Sequence, residues 1–294
     1  MWTRKRCITA FVATASTLRE TPASAPEADG SLIYRHRWAT RIWHWVNAVT
    51  VIVLLMSGLM IFNAHPRLYW GKYGANPDRA WLQIGSTADS GYLQVGPLQI
   101  PTTGVLGWWK DGEGNVRRNA FPGWATIPST YNLAGARSWH ILFAWLLVVP
   151  GLAYWLWGFA SRHVQRDLAP TREELKPAHI WMDITEHAKL RFPTGAKARD
   201  YNILQKISYL AVIFLLLPLM VLTGLSMSPA MNAAWPWLLD LFGGRQSARS
   251  IHFIVMVALL GFILVHLAMV LLAGPYNEVR SMITGRYRLP DERK

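Results

Sequence analysis

Four histidines carry the chemistry of this sequence: His44, His140, His252 and His266. Each lies within or at the edge of a long apolar run, where an ionisable side chain is costly and therefore marks a functional position. His252 and His266 share the run from Ser250 to Ala273, which holds no charged residue. That run is long enough to cross a bilayer, which takes roughly 20 apolar residues. The two rings are fourteen positions apart. At about 1.5 Å rise this separates them by about 21 Å, and at roughly 100° per residue both face the same way. One helix thus offers an imidazole near each membrane surface to a common interior, which is what two stacked haems in a helical bundle require. A structural role, with the ring bonded to a neighbouring helix, suits one isolated histidine better than this pair.

The elements that must position these residues are membrane spans. The chain has 294 residues, of which 52% are hydrophobic and only 16% charged, with 16 Trp. Apolar runs at about 42–62, 138–159, 207–227 and 250–273 predict an all-α membrane protein. The expected architecture is a four-transmembrane-helix bundle with a large extracytoplasmic loop between helices 1 and 2. His44 opens the first span and His140 the second; the third has no histidine. The outward loop, 63–136, is too rich in Gly and Pro for long helices, and short strands are expected around Tyr92 to Ile100. The loop at 161–206 carries His163, His179 and His187, read as solvated residues because no cysteine or carboxylate stands at ligand spacing. Residues 1–30, rich in Ala, Thr, Ser and Pro, read as a disordered tail, residues 31–288 as the membrane domain and 289–294 as a C-terminal tail.

Charge and cysteine content narrow the chemistry. The formal charge is +13, but it is spread over loops, and no basic helix or nucleic-acid motif accompanies it, so nucleic acid is excluded as a partner and membrane lipid preferred. A transporter is disfavoured too, since no span carries an acidic residue and the chain has no pair of like halves. The single cysteine, Cys7, excludes an intrachain disulfide, a cysteine-ligated iron–sulfur cluster and covalent c-type haem attachment. Any haem is held non-covalently.

Lys and Arg set the orientation. Seven precede Ile42, nine lie in 161–206 and five in the tail, against seven in the large loop counted through Arg137 and two before the fourth span. By the positive-inside rule both termini are cytoplasmic. His140 and His252 then lie near the outer face, His44 and His266 near the cytoplasmic face. Each level pair supplies both axial nitrogens of one haem iron. Arg-x-x-His recurs at Arg41/His44, Arg137/His140 and Arg249/His252. Three residues apart on a helix is the same face, so these arginines stand on the water side of the ligands, placed to meet haem propionates. A lone arginine there would simply anchor a helix end. Gly58, fourteen residues after His44, and Gly261 are expected to leave room for porphyrin.

Arg41-Ile-Trp-His44-Trp, Arg137-Ser-Trp-His140 and the pair His252 and His266 resemble the di-haem cytochrome b subunits of bacterial respiratory enzymes, within the bacterial cytochrome b561 superfamily. These include the formate dehydrogenase gamma subunit, the nickel–iron hydrogenase cytochrome b and the thiosulfate reductase cytochrome b subunit. The loop Pro66-Arg67-Leu68-Tyr69-Trp70-Gly71 and the entrance Tyr201-Asn202 to Gln205-Lys206 favour the last. The resemblance, over about residues 31–288, implies two b haems passing electrons between a quinone pool and an extracytoplasmic redox subunit. That partner would be a molybdopterin or iron–sulfur enzyme, or a cytochrome c. No catalytic residue is expected on this chain itself, and its oligomeric state is left open. The resemblance places quinone near the cytoplasmic haem, where Asn202 and Gln205 share a helix face and carry amide donors, unless Asn202 serves as the helix cap. Lys206 is expected to snorkel to the surface. The alternative function is a self-sufficient di-haem membrane oxidoreductase, such as a superoxide:quinone oxidoreductase.

Overall fold

A computed structural model describes residues 31–162, 164–189 and 202–289. The segment 1–30, the residues after Leu289 and His163 lie outside the described residues. The chain opens with a short strand, β1 (Leu32–Tyr34), and enters the first long helix, α1 (Trp38–Asn63). The loop that follows carries β2 (Arg67–Leu68), β3 (Leu82–Ser86), β4 (Gly91–Val95), β5 (Leu98–Pro101), β6 (Trp109–Lys110) and β7 (Val116–Arg117). The second long helix is α2 (Leu133–Ala160), capped by the Asn132 side chain accepting from the Gly135 N–H. A short helix, α3 (Pro177–Ala188), follows. The third span is continuous through α4 (Ile203–Ala211), a π-helical turn at Val212–Leu216, and α5 (Leu217–Met227). Two single-turn helices, α6 (Pro229–Ala234) and α7 (Pro236–Leu241), lead to the longest helix, α8 (Arg245–Ala273). The chain closes with α9 (Pro275–Thr284) and β8 (Arg286–Arg288).

Four of these helical stretches are long and apolar enough to cross a membrane, and each contains one of the predicted spans. Each runs past the apolar run that predicts it, because the first turn carries polar or charged residues that suit a headgroup layer while the backbone ladder continues. The chain is a multi-pass membrane protein with a helical bundle. Within it α1 packs on α2 and α5 on α8, so the fold is two helix pairs laid together.

At one end of the bundle, called here the loop end, the long loop folds into a cap. Its four-stranded antiparallel sheet has the order β2-β3-β4-β5, with Leu82 opposite Val95 and Leu93 opposite Ile100. This goes beyond the strands expected around Tyr92 to Ile100. The cap core of Leu68, Leu82, Ile84 and Ala120 takes in Phe62 from the end of α1, with Phe253 of α8 packed against it. The Phe62 and Phe253 rings are 4.9 Å apart, so burial of apolar surface welds the cap to the first and last spans. Polar contacts add to the weld: Gly71 N–H donates to Ser247 Oγ at 2.7 Å, and Trp81 Nε1 to Ser250 Oγ at 2.9 Å. Gly244 must be glycine here, since its φ is +112° and a Cβ would lie 2.6 Å from Lys72 Cα.

At the other end, the tail end, β1 and β8 pair antiparallel, Ile33 opposite Tyr287. Ile33, Tyr287 and Leu289 form a small core of their own. The Arg35 guanidinium lies over the Tyr287 ring and 3.7 Å from a Glu278 carboxylate oxygen. Burial raises the Glu278 carboxyl above its ordinary range despite Arg35.

Candidate haem centres

The four histidines meet in two pairs. The His140 and His252 rings, from α2 and α8, have centroids 6.3 Å apart at 57°, beneath the cap. The His44 and His266 rings, from α1 and α8, are 6.2 Å apart at 61°, towards the tail end. This spacing suits one metal atom between two nitrogens. A metal–imidazole bond is about 2.0–2.1 Å, and bonds of about 1.33 Å round a five-membered ring put each nitrogen roughly 1.1 Å from its centre. Twice that path is about 6.3 Å. No cluster of three or more His, Cys, Asp and Glu able to hold a metal ion occurs among the described residues.

The loop-end pair is held from behind. Ser57 Oγ of α1 lies 3.0 Å from His140 Nδ1, and Thr223 Oγ1 of α5 lies 3.0 Å from His252 Nδ1. The residue after each hydroxyl is a glycine. A Cβ at Gly58 would sit 3.3 Å from His140 Cε1, and one at Gly224 would sit 3.5 Å from His252 Cε1. Gly58, expected beside porphyrin, thus has the imidazole itself as its nearest neighbour, while Gly261 faces open space. Ser57, Thr223 and Gly224 escaped the sequence reading. The signal that would have found them is a hydroxyl–glycine dipeptide occurring once in each helix that packs against a histidine-bearing span.

The tail-end pair is built differently. His266 stacks on Phe262 at 5.9 Å, whereas His44 Nδ1 is buried without a hydrogen-bond partner among the described residues. Thr40 Oγ1 and Asn47 Oδ1, one turn to either side of His44, are buried and unpartnered in the same way. His36, just ahead of α1, is held at about 4 by burial and then by Arg35, His44 and Arg41, so it is neutral at pH 7.

The three arginines of the Arg-x-x-His motif diverge. Arg249 donates to the carbonyls of His65 and Arg67 and lies over the Phe62 ring, tying α8 to the start of the cap. Arg41 donates to the Ile283 carbonyl, tying α1 to α9. Arg137 is exposed. Asn202 and Gln205 form a reciprocal capping box: Gln205 N–H donates to Asn202 Oδ1 at 2.9 Å and Asn202 N–H to Gln205 Oε1 at 3.3 Å. Lys206, expected to snorkel, is instead 9% exposed and bonds both Glu174 carboxylate oxygens at 2.8 and 3.0 Å. The reason is proximity: the segment before α3 brings a carboxylate over the start of α4, and a charge pair forms where a lone ammonium would need water.

Four apolar helices with imidazoles facing each other at metal-bridging spacing, and no cysteine in the described spans, define a membrane protein of the non-covalent haem type. The chain belongs to the prokaryotic cytochrome b561 family, whose model matches residues 35–285. It is therefore a membrane electron-transport protein binding b-type haem. Among curated proteins it is similar to one named as a protein-methionine-sulfoxide reductase subunit, YedZ1, of Azospira oryzae. The two are 29% identical over 232 residues, covering 79% of this chain and 87% of the relative. No solved structure matches the chain.

Proposed function

We propose that this chain is the membrane-anchoring di-haem cytochrome b subunit of an oxidoreductase, carrying electrons across a bacterial inner membrane between quinone and a catalytic subunit docked outside. The observation that supports it is the two histidine pairs, each at metal-bridging spacing, set about 21 Å apart along α8. His140 and His252 hold one haem iron, His44 and His266 the other. A bound haem supplies a one-electron couple, and the protein supplies position and electronic tuning. The Lys and Arg bias favours an extracytoplasmic cap and cytoplasmic termini. The cap is fixed rigidly over the loop-end pair by Phe62, Phe253 and Arg249, which makes it the natural seat of the catalytic subunit.

The partner is read from the relative. A sulfoxide-reducing subunit, of molybdopterin type, fits better than a thiosulfate or formate enzyme, because the similarity to YedZ1 covers most of both chains. Returning a methionine sulfoxide to the thioether takes two electrons and two protons and releases water, an amount that one quinol delivers.

Quinone is assigned to the tail end. There Thr40 and Asn47 present buried polar oxygens without partners. Asn202 and Gln205 commit their amide oxygens to the helix cap, and of the two it is the Gln205 amide nitrogen that is assigned to a quinone carbonyl, Asn202 holding the helix start that presents it. Of the arginines, Arg137 is the least engaged for a propionate; Arg41 and Arg249 contribute only through donors beyond those already on carbonyls.

The test is haem quantitation and quinol reduction of the purified protein in liposomes. Two low-spin b haems per chain, both reduced by added quinol, are expected. One haem per chain, or haems that quinol leaves oxidised, would overturn the proposal.

A further inference from the structure

The hydroxyls behind the loop-end pair decide which nitrogen of each ring is available. Ser57 Oγ is 2.7 Å from the Val53 carbonyl and Thr223 Oγ1 is 2.7 Å from the Leu219 carbonyl, each one helical turn back. A hydroxyl has one proton, and 2.7 Å is the usual length of an O–H···O bond. The carbonyl can only accept, so the proton goes there. Towards the imidazole the same oxygen is then an acceptor, and Nδ1 must be the N–H. Both hydroxyls belong to fully buried residues, so bulk water does not compete for these bonds. The Leu54 and Met220 carbonyls, three residues back, are second acceptors for the same hydroxyl protons, at 3.2 Å from Ser57 Oγ and 3.1 Å from Thr223 Oγ1. A neutral imidazole protonated at Nδ1 keeps its lone pair on Nε2.

Resting on the two-centre reading above, we propose that Ser57 and Thr223 are positioning residues that lock His140 and His252 as Nδ1–H, Nε2-ligating tautomers and lower the midpoint potential of the loop-end haem. An N–H donating to an oxygen makes the opposite nitrogen a stronger electron donor, and a stronger donor favours ferric over ferrous iron. Gly58 and Gly224 complete the device by letting the backbone of α1 and α5 come up to the rings. At the tail end His44 Nδ1 has no such acceptor among the described residues. The two centres are therefore tuned differently by the protein, although all four ligands are histidines.

The experiment uses purified full-length holoprotein. Thr223→Val removes the hydroxyl at constant shape, Thr223→Ser keeps it, and Ser57→Ala is the counterpart on the other ring. Redox titration followed optically reads each haem component. Thr223→Val and Ser57→Ala should move the ferric/ferrous ratio of one component roughly three- to tenfold towards ferrous at a fixed potential, tenfold being 59 mV for one electron. The second component should not move, and Thr223→Ser should titrate as the native protein. A native potential in Thr223→Val overturns the proposal, as does an equal change in the Val and Ser variants. If Thr223→Val loses that haem, Ser57→Ala on the partner ring decides: a shift towards ferrous supports the proposal and a native potential overturns it. A single haem component in the unsubstituted protein would refute the two-centre reading separately, leaving the Val and Ser comparison to judge the hydroxyls.

Discussion

Replacing histidines singly and in pairs tests the arrangement most severely, because the structure dictates how the losses combine. His140 and His252 are 6.3 Å apart by ring centroid, and His44 and His266 6.2 Å. Along α8 the two members that belong to different pairs are about 21 Å apart, more than three times the spacing one metal atom bridges. No histidine of one pair can therefore stand in for a missing member of the other. His140→Ala should remove half of the low-spin, bis-imidazole haem signal, and His252→Ala the same half. The double variant His140→Ala/His252→Ala should lose no more than either single one, since residues acting as one unit are not additive. His140→Ala/His266→Ala should instead lose all of it. Electron paramagnetic resonance of the oxidised protein counts low-spin centres, and circular dichroism confirms that the helices persist. The reasoning is refuted if the cross-pair double variant retains a low-spin centre, or if the same-pair double loses both.

Two further substitutions probe what holds the tail end. Gly285 has φ +81°, and a Cβ there would lie 2.7 Å from Tyr34 Cε2 and 3.0 Å from the His36 carbonyl. Gly285→Ala should weaken the β1·β8 pairing by about 1–2 kcal/mol, seen as faster amide hydrogen exchange at Leu32–Tyr34 and Arg286–Arg288; unchanged exchange would refute the strain. Glu174→Gln leaves the buried Lys206 ammonium without its counter-charge and should cost about 1–3 kcal/mol, at the lower end because the carboxylate is partly exposed. Burial tends to raise the Glu174 carboxyl, but hydrogen bonds from Lys206 and Thr171 hold it below its usual range. Its contribution is thus complete above the ordinary carboxylate pKa and lost as pH falls through the depressed one. The gap in melting temperature between native protein and Glu174→Gln should accordingly shrink between pH 7 and 3, and a constant gap would exclude the charge pair as its cause.

The spans and their histidines were legible because each is a one-dimensional property: an apolar run has a length, and His252 and His266 have a spacing. Helix ends were less so, since hydropathy stops at Arg41 or Arg249 while the backbone ladder does not. The cap resisted because β2 to β5 are short strands whose burial depends on Phe62 and Phe253, which no local window contains. Ile33 opposite Tyr287 joins residues more than 250 positions apart, and nothing in either strand names the other. Ser57 and Thr223 were hidden by chemistry: a hydroxyl in an apolar helix routinely bonds the carbonyl one turn back. Only the fold shows that these two also face an imidazole. Lys206 was misjudged because its environment is made by Glu174, 32 residues away in the sequence.

On the two-centre reading, neither centre exists until the last span has been made and inserted, because α8 supplies one histidine to each pair. Synthesis runs from the N-terminus at roughly 5–20 residues per second. The hairpin of α1 and α2 is therefore in the membrane well before His252 emerges, with His140 already resting against Ser57 and Gly58. Cofactor capture is a final event of biogenesis, coupled to the arrival of a single helix. A ribosome that stops before Arg245 leaves a membrane-embedded fragment with two orphan imidazoles and no place to keep iron. On that reading, loss of the C-terminal sixth of the chain abolishes both redox centres at once, whereas no other span supplies a histidine to both pairs.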